Sequence, residues 1–295
     1  MVIKLQKAIK NYLISKVLLL ITLFLIVVIV LLVIFIMSES LPIVRDYGIF
    51  NFIFGLNWSP DNNEFGVFPM IIGTLLITII SLFISAPLAL SCGIFLEEIA
   101  PVKLKLLFKP VIQTLVGIPS VIYGFFGLMV LSPLIRNTFG GSGFSIITAS
   151  IILALMVLPT IISITQDSIK GVPNEYKEAS LALGSTKWQC IKNIILPTAL
   201  PGIITALILG FTRAIGETLA VLMLIGNVSQ IPDSLLSPAR TLTSNIALEM
   251  GYATNIHYNA LFMTSSVLFV IIIIFMLFLT FIQSKYTIGD NVNVK

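Results

Sequence analysis

Two ionisable residues, Arg213 and Glu217, lie inside an otherwise apolar stretch of this 295-residue chain. If the stretch is one continuous helix, their spacing of about one turn puts both side chains on one face. That face also carries small residues, namely Gly202, Ala206, Gly210, Gly216 and Ala220. A partner helix or a substrate could therefore come close to the charged pair.

A charge at the centre of a bilayer costs about 2.5 to 3.5 kcal/mol, so ionisable residues there usually mark a substrate path. A guanidinium, with a planar fork of donors and a permanent charge, suits an oxyanion such as phosphate or sulfate. We therefore expect Arg213 to supply positive charge to a translocation path and Glu217 to hold Arg213 in place. The alternative is that the two charges neutralise each other as structural glue.

The composition requires lipid as the solvent for much of the chain. Hydrophobic residues make up 57% and charged residues 10% of the sequence, and the mean hydropathy is +1.08. The 17 Lys and Arg residues form no basic stripe, so we interpret them as determinants of membrane topology and expect no nucleic-acid partner. Cys92 and Cys190 suggest no disulfide framework.

Six apolar runs are long enough to cross a bilayer, which takes about 20 residues per helix. They cover residues 17–37, 70–96, 110–131, 144–165, 200–225 and 259–282. The predicted fold is all-α, a polytopic membrane bundle of six transmembrane helices. Six crossings place the basic residues unequally on the two sides of the membrane. One side holds only Arg45, Arg136 and Arg240, and the other holds the lysines from Lys4 to Lys16 and Lys103, Lys105, Lys109, Lys170, Lys177, Lys187, Lys192, Lys285 and Lys295. The positive-inside rule therefore predicts that both termini are cytoplasmic.

Two features predict close packing and irregular helices. In the second run Ser81, Ser85, Ala89 and Gly93 recur every four residues, a small-residue ridge that suits a helix interface. Prolines lie within or beside the runs at Pro87, Pro119, Pro133 and Pro159. Such breaks suit a transport pathway, although they also suit packing.

The cytoplasmic segment 166–198 is predicted to form two short helices. Pro173 and Asn174 suit a helix start, Gly184 a stop and Ser185 a new cap, and Pro197 should end the second helix. The segment also carries a pattern: Glu178, Ala179, Ser180, Gly184, Ile194, Leu196 and Pro197. This resembles the EAA loop of ABC importer permeases, which docks on a cytosolic ATPase, with Ser180 replacing the usual second Ala.

The resemblance extends to the phosphate-specific importer permeases of the PstC type. It rests on residues 118–124, 158–160 and 213–218, and on the outer segments 54–60, 220–227 and 241–245. It implies a MetI-like ABC permease fold with coupling residues Glu178, Ala179 and Gly184. It also implies a sister permease of the PstA type, cytosolic ATPase subunits, an extracytoplasmic phosphate-binding protein and a bacterial or archaeal cell membrane. We expect the helix that packs on the small-residue ridge to belong to the sister permease.

The expected organisation has three parts. Residues 1–69 hold the N-terminal tail, the first transmembrane helix and an outer loop, residues 70–283 the permease core, and residues 284–295 a cytoplasmic tail. No G-x-x-x-x-G-K-[ST] occurs, so ATP hydrolysis is expected in another chain. The only histidine, His257, belongs to no metal or hydrolase motif, so no cofactor, metal or catalytic residue is expected. The alternatives are a permease for another oxyanion and an ion-coupled secondary transporter, which would need no ATPase dock.

Overall fold

The computed structural model describes the backbone of residues 2–292 and the side chains of residues 12 and 14–285. The side chains of Lys4, Lys7, Lys10 and Lys295, used above for topology, lie outside this range. The helices are α1 (Val2–Asp46), α2 (Ile49–Phe54), α3 (Phe68–Ile94), α4 (Val102–Gly117), α5 (Ser120–Phe126), α6 (Ser132–Phe139), α7 (Ile146–Lys170), α8 (Asn174–Ala182), α9 (Lys187–Cys190), α10 (Leu196–Ile215), α11 (Leu219–Leu224), α12 (Leu242–Glu249) and α13 (Asn255–Val292). A short hairpin pairs β1 (Trp58–Ser59) with β2 (Glu64–Phe65).

Within the described residues, six helical stretches are long and apolar enough to cross a membrane, which confirms the predicted number. They are Ile14–Asp46, Phe68–Ile99, Ser120–Phe139, Ile146–Lys170, Lys187–Ile215 and Asn255–Lys285. The first is unburied within the chain, except where its C-terminal part packs on α13. There the Ser40 and Ser266 hydroxyls form a hydrogen bond of 2.7 Å. The fourth is the most buried and forms the centre of the bundle.

The third and fifth spans differ from their predicted limits. The third begins at Ser120 and not near residue 110, because Ile118 is extended before Pro119, as residues that precede proline tend to be. The fifth begins earlier and ends earlier than residues 200–225. The π turn Ile191–Ile195 joins α9 to α10 and accommodates Pro197, so Pro197 does not end a helix as predicted.

The small-residue ridge of α3 packs inside this chain. Ser81, Ser85, Ala89 and Gly93 are all buried. A Cβ atom built on Gly93 would lie 2.9 Å from Cγ2 of Thr165 on α7, so only glycine allows this approach. The expectation that the ridge contacts a sister permease is therefore wrong, because α7 already covers it.

Candidate functional site

Arg213 lies in the last turn of α10, at the contact with α7. Its guanidinium donates from Nη1 to the Thr160 hydroxyl over 3.1 Å, and the side chain is half-buried. The stripe of small residues on α10 makes this contact possible, since a Cβ atom on Gly210 would lie 2.8 Å from the Ile161 side chain. The stripe thus packs against α7, and Arg213 lies at the C-terminal end of α10.

Glu217 does not share a helical face with Arg213, because α10 ends between them. The helix stops at Ile215, Gly216 is its C-cap, and Glu217 lies in the turn before α11. Oε1 of the Glu217 carboxylate accepts a hydrogen bond from the backbone N–H of Ala220 at 3.3 Å. Glu217 thus supplies an acceptor at the start of α11, where the first N–H groups of a helix have no partner within the helix. The predicted geometry of one continuous turn is therefore wrong.

The charged side chains of Arg213 and Glu217 each bond to a neutral group and not to each other. Among residues 14–285 no ion pair joins Arg213 to Glu217. The Glu217 carbonyl oxygen accepts the Thr243 hydroxyl at 3.0 Å, which ties this turn to α12. Both side chains are half-buried and not neutralised by each other, so each can interact with a charged ligand.

The predicted coupling residues Glu178, Ala179 and Gly184 are all exposed. Gly184 has φ +86°, in the left-handed region, and ends α8 in a Schellman motif: its N–H donates to the Leu181 carbonyl at 3.0 Å, and the Ser185 N–H donates to the Ser180 carbonyl at 3.4 Å. The predicted helix stop is confirmed. The new cap is Thr186 and not Ser185, since Thr186 and Gln189 form a capping box.

This loop presents an apolar surface without a partner in the described chain. Leu183 is 90% exposed, and Tyr176, Leu181 and Trp188 are also exposed. A groove of about 560 Å³ runs beside them, with walls that include Ala179, Asn193 and Pro197. Exposed apolar side chains next to a groove are typical of a surface that binds another protein.

A buried polar cluster beside the hairpin β1–β2 was not found from the sequence. Glu249, 6% exposed, accepts from Arg240 at 2.7 Å and from the Trp58 indole N–H at 2.8 Å, and it lies 2.8 Å from the His257 ring. Arg240 also donates to the Asn227 carbonyl at 2.9 Å. The cluster joins the hairpin β1–β2 to α12 and α13. Nothing in the spacing of these residues along the chain signals that they meet.

Comparison with known proteins places these features in context. Residues 87–288 match the model of a protein family, described as "binding-protein-dependent transport system inner membrane component". The probable ABC transporter permease protein YqgH of Bacillus subtilis is 42% identical over 248 residues, which is 82% of this chain and 80% of that protein. The phosphate transport system permease protein PstC of Xylella fastidiosa is 37% identical over 241 residues, 75% of this chain and 74% of that protein.

Solved structures show the same fold. An inward-facing MetNI methionine ABC transporter chain is 23% identical and superposes with a TM-score of 0.54, over 72% of this chain and 90% of that chain. A chain of an amino acid ABC transporter crystallised with histidines is 18% identical, with a TM-score of 0.54 over 73% of this chain and 92% of that chain. The predicted MetI-like permease fold is therefore confirmed.

Proposed function

Because this chain belongs to the binding-protein-dependent transport system inner membrane components, and among them to the PstC-type permeases, we propose that it imports inorganic phosphate as the transmembrane subunit of an ATP-driven ABC importer. It forms half of the translocation pathway. The observation that carries the proposal is its similarity to PstC permeases over three quarters of its length. The exposed loop around α8 supports an ATP-driven mechanism, since an ion-coupled carrier would have no use for it.

ATP hydrolysis takes place in a separate cytosolic chain that docks on α8. Glu178, Ala179 and Gly184 seat the loop in this ATPase, and the exposed Leu183 supplies apolar contact area. Ala179 borders the groove, where a larger residue would fill space that a docked side chain needs. The Schellman motif at Gly184 fixes the direction in which the chain leaves α8.

Phosphate passes the ends of α10 and α7, where Arg213 supplies the positive charge. Thr160 accepts from Arg213, and in the described residues its own hydroxyl proton has no acceptor, so it can donate to a phosphate oxygen. Glu217 lies close by in sequence but outside the helix, where its negative charge limits how tightly the anion binds. Conduction needs this balance, because an ion that binds too tightly is not released.

The remaining partners are a sister permease of the PstA type and an extracytoplasmic phosphate-binding protein. The sister permease can bind the half-exposed apolar face formed by α5 and the π turn that follows it (Gly127–Leu131), with Ile122, Phe125 and Met129. Both termini and α8 lie on the cytoplasmic side of a bacterial or archaeal cell membrane, and the cluster around Glu249 lies on the outer side, where the binding protein delivers phosphate.

The test is uptake of labelled phosphate by the complete complex reconstituted in proteoliposomes. Arg213→Gln should abolish uptake while complex yield stays normal, and Glu217→Gln should lower uptake. Arg136→Gln, which removes an exposed arginine of α6, serves as the matched control and should leave uptake unchanged. Wild-type uptake in Arg213→Gln would show that Arg213 is structural. Uptake of sulfate in preference to phosphate by the unaltered complex would refute the substrate assignment, and uptake without ATP would refute the ABC mechanism.

A further inference from the structure

The inner end of α3 is linked to two other helices by one irregular turn. The π turn Phe95–Ile99 follows α3 directly. The Glu97 carbonyl oxygen in this turn accepts Nζ of Lys105, on α4, at 2.5 Å. The next residue, Glu98, forms an ion pair with Lys177 of α8, with Nζ 2.6 Å from Oε1. The turn therefore connects a membrane-spanning helix to the loop that docks on the ATPase.

Lys177 is the main polar link between α8 and the transmembrane bundle. No residue of α8 is buried, so the helix lies on the surface without a core of its own. The side chains of Lys177 and Glu98 are 20% and 12% exposed, which protects the pair from much of the screening that weakens exposed ion pairs. The Lys177 carbonyl also accepts the Cys190 thiol at 3.9 Å. A displacement of α8 therefore acts on Glu98 and Cys190 together.

The outer end of α3 reaches the segment that carries Glu217. The Thr74 hydroxyl of α3 accepts the Leu242 N–H at 3.0 Å, at the start of α12. One residue further, the Thr243 hydroxyl donates to the Glu217 carbonyl at 3.0 Å. One helix of 27 residues thus joins the docking loop on the inner side to the Glu217 turn. Packed helices with ion pairs and hydrogen bonds at both ends are the physical elements that carry coupling between distant sites.

We propose that the ion pair between Glu98 and Lys177 is a latch that transmits movement of α8 to α3, and through α3 to the Glu217 turn. The proposal rests on the proposed function, because the ATPase supplies the movement. The latch is a positioning pair: it contacts neither phosphate nor ATP. Its loss disconnects the two processes, so ATP is hydrolysed with less phosphate transported.

The test measures phosphate taken up per ATP hydrolysed by the complete complex in proteoliposomes. Glu98→Lys and Lys177→Glu each place two like charges together, and the double variant restores an opposite pair with the charges exchanged. Glu98→Gln keeps an oxygen acceptor without the charge and is the mildest change. Lys103→Glu, a charge reversal at an exposed lysine of α4, is the matched control.

Each single reversal should lower the ratio by about tenfold, a typical size for coupling between two sites, with normal complex yield and continued hydrolysis. The double variant with the exchanged pair should recover most of the uptake per ATP hydrolysed. Glu98→Gln should give a ratio between those of the single reversals and the unaltered protein, and Lys103→Glu should give the ratio of the unaltered protein. An unchanged ratio in the single reversals, no recovery in the exchanged pair, or loss of assembly in all variants including Glu98→Gln would overturn the latch. Absence of phosphate uptake by the unaltered complex would instead refute the proposed function.

Discussion

Replacing Gly184 by alanine should weaken the docking of this chain on its ATPase through backbone strain alone. Gly184 has φ +86°, and a Cβ atom built on it would meet nothing within 4 Å. The substitution therefore causes no clash, and its cost is that of a left-handed L-residue, about 1 to 2 kcal/mol. Such a cost lowers the population of the native turn relative to alternatives by about 5- to 30-fold.

The matched control lies at the opposite end of α7 from α8. Gly141 has φ +76° and equally open surroundings, so Gly141→Ala carries a similar strain in a loop distant from α8. Gly184→Asn is a second control, because asparagine tolerates the left-handed region better than alanine. Gly184→Trp adds bulk on the docking surface to the strain and should prevent assembly or uncouple hydrolysis from transport.

The assay is co-purification of the ATPase with the permease pair, followed by phosphate uptake. We expect the recovered ATPase to be highest for Gly184→Asn, lower for Gly184→Ala and lowest for Gly184→Trp. Gly141→Ala should recover as much ATPase as the unaltered protein. Normal recovery and normal uptake in Gly184→Trp would refute the docking assignment. Equal losses in Gly141→Ala and Gly184→Ala would show that the strain destabilises the chain in general and does not report on docking.

Three further substitutions test the site, the core and the cluster around Glu249. Thr160→Val removes a hydrogen bond to a charged group and should raise the KM for phosphate by about tenfold, whereas Thr160→Ser should keep it near wild type. Ala89→Phe should lower the thermal stability of the purified chain itself, by about 1 to 3 kcal/mol for overpacking, while Leu88→Phe, on the exposed side of α3, should not. Glu249→Gln leaves Arg240 without its carboxylate and should destabilise the complex by about 3 kcal/mol in thermal unfolding, with exposed Asp61→Asn as the unaffected control.

The helix that carries Arg213 shows how far the sequence could lead. Its hydropathy predicts a span correctly, because a bilayer selects for length and apolar character, which are local properties. The end of the helix at Ile215 was missed, since the apolar run continues beyond it to Ile225. Gly216 was the available signal, but glycine is common inside membrane helices and does not by itself mark an end.

The loop around Gly184 was predicted more accurately than the membrane core. Its helix start, its glycine stop and its exposure follow from neighbouring residues, because a Schellman motif is closed by hydrogen bonds over a few positions. The ridge of Ala89 shows the opposite case. A row of small residues predicts that some helix comes close, but any complementary helix, in this chain or in another, satisfies the same pattern.

The sequence by itself determined that much of the chain lies in lipid, how many spans it has and where the exposed loop around α8 lies, because each depends on composition or on short-range spacing. Only the tertiary structure decided that α7 covers the ridge, that Arg213 bonds to Thr160 and not to Glu217, and that Glu249 is buried among Arg240, Trp58 and His257. These contacts join residues far apart in the chain. They depend on which helices pack together and where each one ends, and no local pattern encodes that choice.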